Sequence, residues 1–175
     1  MRPYSLSYSI DHGLNHRVLG ASKGGQPLDI AMCAQLALQC ARDSNDLGAF
    51  GQLDIRNYHD TISRSEMWRS LRRRSIPVHW CKAAVRLQRC PQVRLRVRGS
   101  LTQVLSRTRG ALTGNSLAPW FGMVVVEDLF SLAGDLIEPH NFKFMNVTLK
   151  PMAWSDNVFV FSNSVDGVAA ALTIL

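Results

Sequence analysis

The stretch Ala153-Trp154-Ser155-Asp156-Asn157-Val158-Phe159-Val160-Phe161-Ser162 constrains this chain more than any other. An acidic turn stands there between short apolar runs ending in β-branched and aromatic residues. Such a pattern reads as two strands joined tightly, with Asp156 held at the bend. A carboxylate so placed can take a metal ion. Asp-Asn is also ordinary turn chemistry, because both side chains hydrogen-bond to nearby backbone, and a plain hairpin accounts for the stretch taken alone. Two other segments give it company in a fixed order: Asp54 and Asp60 far upstream, and a loop from Gly114 to Pro119 between.

At 175 residues and 46% hydrophobic, the chain has the length and apolar content of one globular domain. Its formal net charge of +7 is unevenly placed. Arg64, Arg69, Arg72, Arg73, Arg74, Lys82, Arg86, Arg89, Arg94, Arg96, Arg98, Arg107 and Arg109 face a single acid between them, Glu66. That excess predicts a positive face of the kind that attracts phosphate backbones or anionic membranes, and a solvated basic surface is the plainer alternative. Cys33, Cys40, Cys81 and Cys90 match neither a zinc pattern nor a C-x-x-C redox pair, so they read as small buried residues or free thiols. Met1-Arg2-Pro3-Tyr4-Ser5 lacks the apolar core of a secretory signal. The longest apolar run, Leu117 to Ala133, is interrupted by Glu127-Asp128 and is too short and too charged to span a bilayer. The expectation is a soluble intracellular protein, nuclear or cytoplasmic, with no membrane partner.

Along the chain, the first 27 residues read as loops or an incomplete subdomain. Ile30, Cys33, Ala34, Ala37, Leu38 and Ala41 recur at helical spacing over Leu28 to Cys40. Gln52-Leu53-Asp54-Ile55 reads as a short strand ending in an acid, and Ser63-Arg64-Ser65-Glu66 has the spacing of a reciprocal capping box. The helix that starts there turns Met67, Trp68 and Leu71 inward and Arg69, Arg72 and Arg73 outward. Pro77 separates it from a second helix through about Leu87. Val93-Arg94-Leu95-Arg96-Val97-Arg98 alternates strictly, which predicts one apolar face and one arginine face, with Gly99-Ser100 as the turn into Leu101 to Val104. Leu117 to Leu132 predicts a helix burying Phe121, Val124, Val125 and Leu129. Phe142 to Leu149 reads as a strand, and a last helix starts at Val165. The chain stops in mid-pattern at Leu175, which reads as truncation.

The order of these motifs resembles a reverse transcriptase of the non-LTR retrotransposon and group II intron type. Leu53-Asp54-Ile55-Arg56-Asn57-Tyr58-His59-Asp60-Thr61-Ile62 is similar to that family's first palm motif. Arg109-Gly110-Ala111-Leu112-Thr113-Gly114-Asn115-Ser116-Leu117-Ala118-Pro119 is similar to the second, and the Asp156 hairpin to the third. Gly20 to Asp29 is a weaker match to a fingers segment. The resemblance implies an α/β (α+β) polymerase palm, with a ferredoxin-like antiparallel sheet backed by helices. Residues 1–51 would form partial fingers with one helix, and 52–175 the palm with inserted helices and a hairpin, the thumb being absent.

The same resemblance implies RNA-directed DNA polymerase activity on an RNA template, a DNA primer and deoxynucleoside triphosphates. In-line displacement at phosphorus uses two divalent ions to stabilise the attacking and leaving oxygens. Magnesium, or manganese, prefers oxygen ligands, so Asp54, Asp156 and the backbone oxygen of Ile55 would hold the ions. Asp54, Asp156 and Asn157 would form the catalytic set, and His59, Thr113, Gly114 and Trp154 would border the nucleotide. Arg72, Arg73, Arg94, Arg96 and Arg98 would face nucleic acid. Five positions depart from the family pattern: His59 stands for the aromatic residue under the sugar, Thr113 for a glutamine, Ala118 for a serine, Trp154 for a tyrosine and Asn157 for a second aspartate. These departures imply an alternative, a degenerate palm and fingers remnant that binds nucleic acid without turnover.

Overall fold

A computed structural model describes residues 26–89, 92–111 and 117–175. The chain forms two compact units, one from residues 1–55 and 126–175 and the other from Arg56 to Val125. The segment from Gly20 to Gly25, and Cys90, lie outside the described residues.

The first unit is built on a three-stranded antiparallel sheet of order β1–β9–β8. It consists of β1 (Ala49–Asp54), β8 (Met152–Trp154) and the central β9 (Asn157–Ser162). Successive strand side chains point to opposite faces, and β9 is buried on both. On one face Phe161 joins Ile30, Ala37 and Ala41 of α1 (Pro27–Asp43) and Phe142 of β6 (Phe142–Phe144). On the other, Val160 packs with Val168 and Ala171 of α6 (Val165–Ile174) and with Ala133 and Ile137 of α5 (Ala118–Ile137). Gly51 permits this second layer to close, since a Cβ there would sit 2.5 Å from Cγ1 of Val168.

Local chemistry fixes the ends of these elements. Pro27 opens α1, and the Asp29 carboxylate accepts the Gln26 N–H at 2.8 Å. Ser164 caps α6 by accepting from Gly167 N at 3.0 Å. The predicted strand Phe142 to Leu149 is two strands, because Met145 takes a positive φ of 51° and folds β6 back on β7 (Val147–Leu149). Asn163 pins this hairpin, exchanging hydrogen bonds with the backbone N and O of Lys143 at 2.7 and 3.0 Å.

In the second unit, α2 (Tyr58–Thr61) precedes α3 (Arg64–Arg73) and α4 (Val78–Arg89). Met67, Leu71, Ile76 and Cys81 form buried positions there. The capping box is half realised. Ser63 accepts from Glu66 N at 3.1 Å, but the Glu66 carboxylate turns to Arg69 instead of reaching back. The basic segment also differs from its prediction. It forms two short ladders, β2 (Gln92–Val93) with β5 (Leu105–Ser106) and β3 (Arg96–Val97) with β4 (Ser100–Leu101). Arg98 and Gly99, with φ of 49° and 87°, make the tight turn, so Arg98 leaves the strand. Among the described side chains the predicted apolar face is not buried: Leu95, Val97 and Leu101 are all more than half exposed.

The helix α5 extends beyond its predicted end. Phe121 and Val124 are buried as expected, with Val126, Phe130, Ala133 and Ile137 in place of the half-buried Val125 and Leu129. Among the described residues, no helix is long and apolar enough to cross a membrane.

Candidate functional site

β1 and β9 run antiparallel in a register that sets Asp54 opposite Asn157, while β8 sets Trp154 against the same Asn157. The three residues therefore form one rung across the sheet. Ser155 and Asp156 are the two turn residues between β8 and β9. Ser155 alone has a positive φ, 56°, the φ pattern of a type II′ hairpin turn. The Ile55 N–H donates to the Asp156 carbonyl at 3.0 Å, which ties the exit of β1 to this turn. The first unit thus brings Asp54, Ile55, Asp156 and Asn157 together at one end of its sheet.

The amide of Asn157 is engaged at both ends. Its Nδ2 donates to Oδ1 of Asp156 at 3.4 Å, and its Oδ1 accepts from Nε2 of Gln52. A carboxylate only accepts, so the Asp156 contact fixes which end of the amide carries nitrogen. Gln52 then meets the oxygen. Sequence reasoning missed Gln52. The available signal was its position two residues before Asp54, which places both on the same strand face.

The donor set suits a hard cation in type but is small. Asp54 is exposed and Asp156 half-buried, and among the described residues no three His, Cys, Asp or Glu side chains converge as a metal cluster. Two carboxylates fit the habit of magnesium, which commonly takes one or two carboxylates and completes its shell with water and phosphate. Trp154 is half-buried and packs against the cluster around Phe161, so much of its ring belongs to the core.

The second unit holds His59. Its ring lies 5.3 Å from that of Tyr58, between centroids, and its Nδ1 is buried without a hydrogen-bond partner. Gly122 makes room for this pair: a Cβ there would stand 2.8 Å from Tyr58 and 3.2 Å from His59. Tyr58 also donates its hydroxyl to the Gly122 carbonyl at 2.5 Å. Thr113 and Gly114 lie outside the described residues, but the start of their motif is visible. Gly110 N donates to the Ile62 carbonyl at 2.8 Å and Ala111 N to the His59 carbonyl at 2.6 Å. Arg107, which sequence reasoning did not single out, donates to Asp60 at 2.6 Å and helps join the first and second motifs.

The side chains of Arg72, Arg73, Arg94, Arg96 and Arg98 belong to exposed residues of the second unit. Arg72 donates to the Ile76 carbonyl at 3.1 Å, so part of its guanidinium is engaged by the loop between α3 and α4.

No family model and no curated protein matches the chain in sequence. Solved structures do match in fold. Telomerase from Candida albicans, in complex with a TWJ fragment of telomeric RNA, superposes with a TM-score of 0.67 at 10% identity, covering 98% of this chain and 32% of that one. Apo telomerase from Candida tropicalis, truncated from its C-terminal domain, gives 0.61 at 9% identity, with 99% and 36% covered. The fold is palm-like.

The chain spans about a third of the length of these telomerases. At such identity the likeness establishes a distant reverse-transcriptase-like α/β fold. It does not extend to the retrotransposon or intron type that the motifs resemble.

Proposed function

We propose that this chain is the palm of an RNA-directed DNA polymerase, which binds an RNA template and a DNA primer and adds deoxynucleotides. The observation that carries this reading is the register of Asp54 against Asn157 beside the Asp156 turn, since two segments about a hundred residues apart in sequence meet there. The RNA-bound telomerase among the structural neighbours supports the class of partner. Asp54, Asp156 and the Ile55 carbonyl would hold magnesium or manganese. A cation held there supplies charge stabilisation at the transferring phosphoryl group.

The side chains have tasks of their own. Asn157 orients the Asp156 carboxylate by donating to one oxygen, and Gln52 holds Asn157 in that orientation. Trp154, on the same rung as Asp54 and Asn157, borders the nucleotide in this reading. Arg72, Arg73, Arg94, Arg96 and Arg98 draw in the phosphate backbone.

A second reading, nucleic-acid binding without turnover, is favoured by the engaged amide of Asn157. That amide carries no charge and its oxygen already accepts from Gln52, and with Asn at 157 two carboxylates serve where the family places three. One charge pair at 4 Å is worth on the order of 4 kcal/mol at an effective dielectric near 20, so the missing charge costs several powers of ten in rate.

Primer extension on an RNA template, with magnesium and then manganese, decides between the two. The polymerase reading expects extension by the chain and its loss in Asp54→Ala. Extension that survives Asp54→Ala overturns the assignment of the carboxylates. No extension by the chain, with extension appearing in Asn157→Asp, establishes the second reading.

A further inference from the structure

The helix α4 presents two different stripes to solvent. Its inner face is Cys81, Ala84, Val85 and Gln88, buried or half-buried at helical spacing. Outside, His79, Lys82, Arg86 and Arg89 recur at intervals of three and four, so they line one flank, and all are exposed. Trp80, Ala83 and Leu87 recur in the same way along the other flank. Trp80 and Leu87 are each 47% exposed. Tryptophan carries a large apolar surface, and this one stands beside a basic row with the His79 ring 5.7 Å away between centroids.

We propose that this solvent face of α4 is a binding site for single-stranded nucleic acid, with phosphates along His79, Lys82, Arg86 and Arg89 and a base stacked on Trp80. The site rests on the nucleic-acid-binding reading above and adds to it residues outside the arginine ladders. Charge decides the occupant. The unit that carries α4 has fourteen Arg and Lys against two acids, Asp60 and Glu66, so a polyanion is favoured throughout. Aromatic rings next to a basic track are the general means of holding unpaired bases, because every base offers a stacking face whatever its sequence. An interfacial membrane helix needs a broad apolar face to sink into lipid. Here the buried face of α4 is already used by the fold, and the outer apolar strip is one residue wide.

From Lys82 to Arg89 the row runs about 10 Å at 1.5 Å per residue, enough for a few nucleotides. The test is fluorescence anisotropy of a labelled twenty-nucleotide oligo(U) RNA titrated with the full chain at several salt concentrations. Trp80→Ala is expected to weaken binding about tenfold, and Trp80→Phe to retain most of it. Lys82→Ala/Arg86→Ala/Arg89→Ala is expected to lower the salt slope by about two, at roughly 0.7 per phosphate contact on a single strand. All these positions are exposed, and thermal melting confirms folding of each variant. RNA binding unchanged in both the Trp80→Ala and triple variants overturns the α4 site while leaving the nucleic-acid reading intact. Absence of RNA binding by the unaltered chain overturns both. If the same variants lose binding to phosphatidylserine vesicles but not to RNA, the face is a membrane surface and the proposal fails.

Discussion

Residues 1–55 and 126–175 hold six basic residues against eleven acidic ones, whereas residues 56–125 hold fourteen against two. The acidic unit contains Asp54 and Asp156, and the basic unit contains the arginine ladders and α4. Their architectures differ as much as their charges. β9 is a continuous apolar run from Val158 to Phe161 and is packed on both faces, as such a run predicts, whereas the Arg94 to Arg98 stretch alternates arginine with apolar residues and is exposed throughout. Alternation describes which side chains share a face. Burial depends on whether another element arrives to cover that face, and here α1, α5 and α6 cover the β1–β9–β8 sheet.

The largest expected effect tests that contrast directly. Phe161→Ala empties a position that is 2% exposed and should cost about 3–5 kcal/mol. Val97→Ala, at a position 57% exposed, should stay within about 0.5 kcal/mol. Urea unfolding measures both. Similar losses from the two would mean that the arginine ladders have a buried face after all, and the contrast would collapse.

What could be read from the sequence follows the same line. Asp54 at a strand end, the Asp156 turn, the Ser63 cap and the break at Pro77 are short-range signals, and each corresponds to an element boundary or turn in the structure. The Gln52–Asn157 contact spans 105 positions and becomes visible only once β1 and β9 are in register. Strict alternation extends the predicted strand through Arg98, since arginine rarely takes positive φ, whereas the turn imposes it there with Gly99. Arg107 binding Asp60 is another long-range pairing that no local pattern announces.

Glycines sharpen the comparison at a smaller scale. Gly51→Ala drives a methyl into Val168 and should cost about 1–3 kcal/mol through overpacking. A Cβ at Gly99 would meet nothing within 4 Å, so Gly99→Ala carries only the cost of a positive φ, about 1 kcal/mol. Asparagine separates the causes. It tolerates left-handed backbone and should restore most of the loss at 99, while at 51 it should be worse than alanine. Equal behaviour of asparagine at both positions would remove the distinction between packing and conformation.

Asn157→Asp should come next, with a loss of about 1 kcal/mol in EDTA. The substitution removes the N–H donated to Asp156 and sets a second carboxylate beside it. Millimolar magnesium should return the loss, because the added carboxylate then works with the cation instead of against its neighbour. Thermal melting with and without magnesium measures this. A variant whose melting temperature ignores magnesium would show that the turn does not take the ion.

The smallest effect concerns the thiols, one raised in each unit. Burial pushes the Cys81 thiol above its ordinary range, opposed in part by the charge of Arg72 and by its own backbone hydrogen bond. Cys33 is raised first by burial and then by Asp29. A folded pKa above the unfolded value means that folding favours the neutral thiol. That contribution is complete below the unfolded value, about 8.5, and fades as pH rises through the folded one. Unfolding free energy should therefore fall with pH above about 8.5 less steeply in Cys81→Ala than in the unaltered chain. Cys81 is fully buried and donates to the Ile76 carbonyl at 3.4 Å, whereas Cys33 is half-buried. Desolvation scales with burial, so Cys33→Ala should flatten the alkaline slope less. If Cys33→Ala flattened it more, Asp29 would be the stronger influence, and charge in the acidic unit would outweigh burial in the basic one.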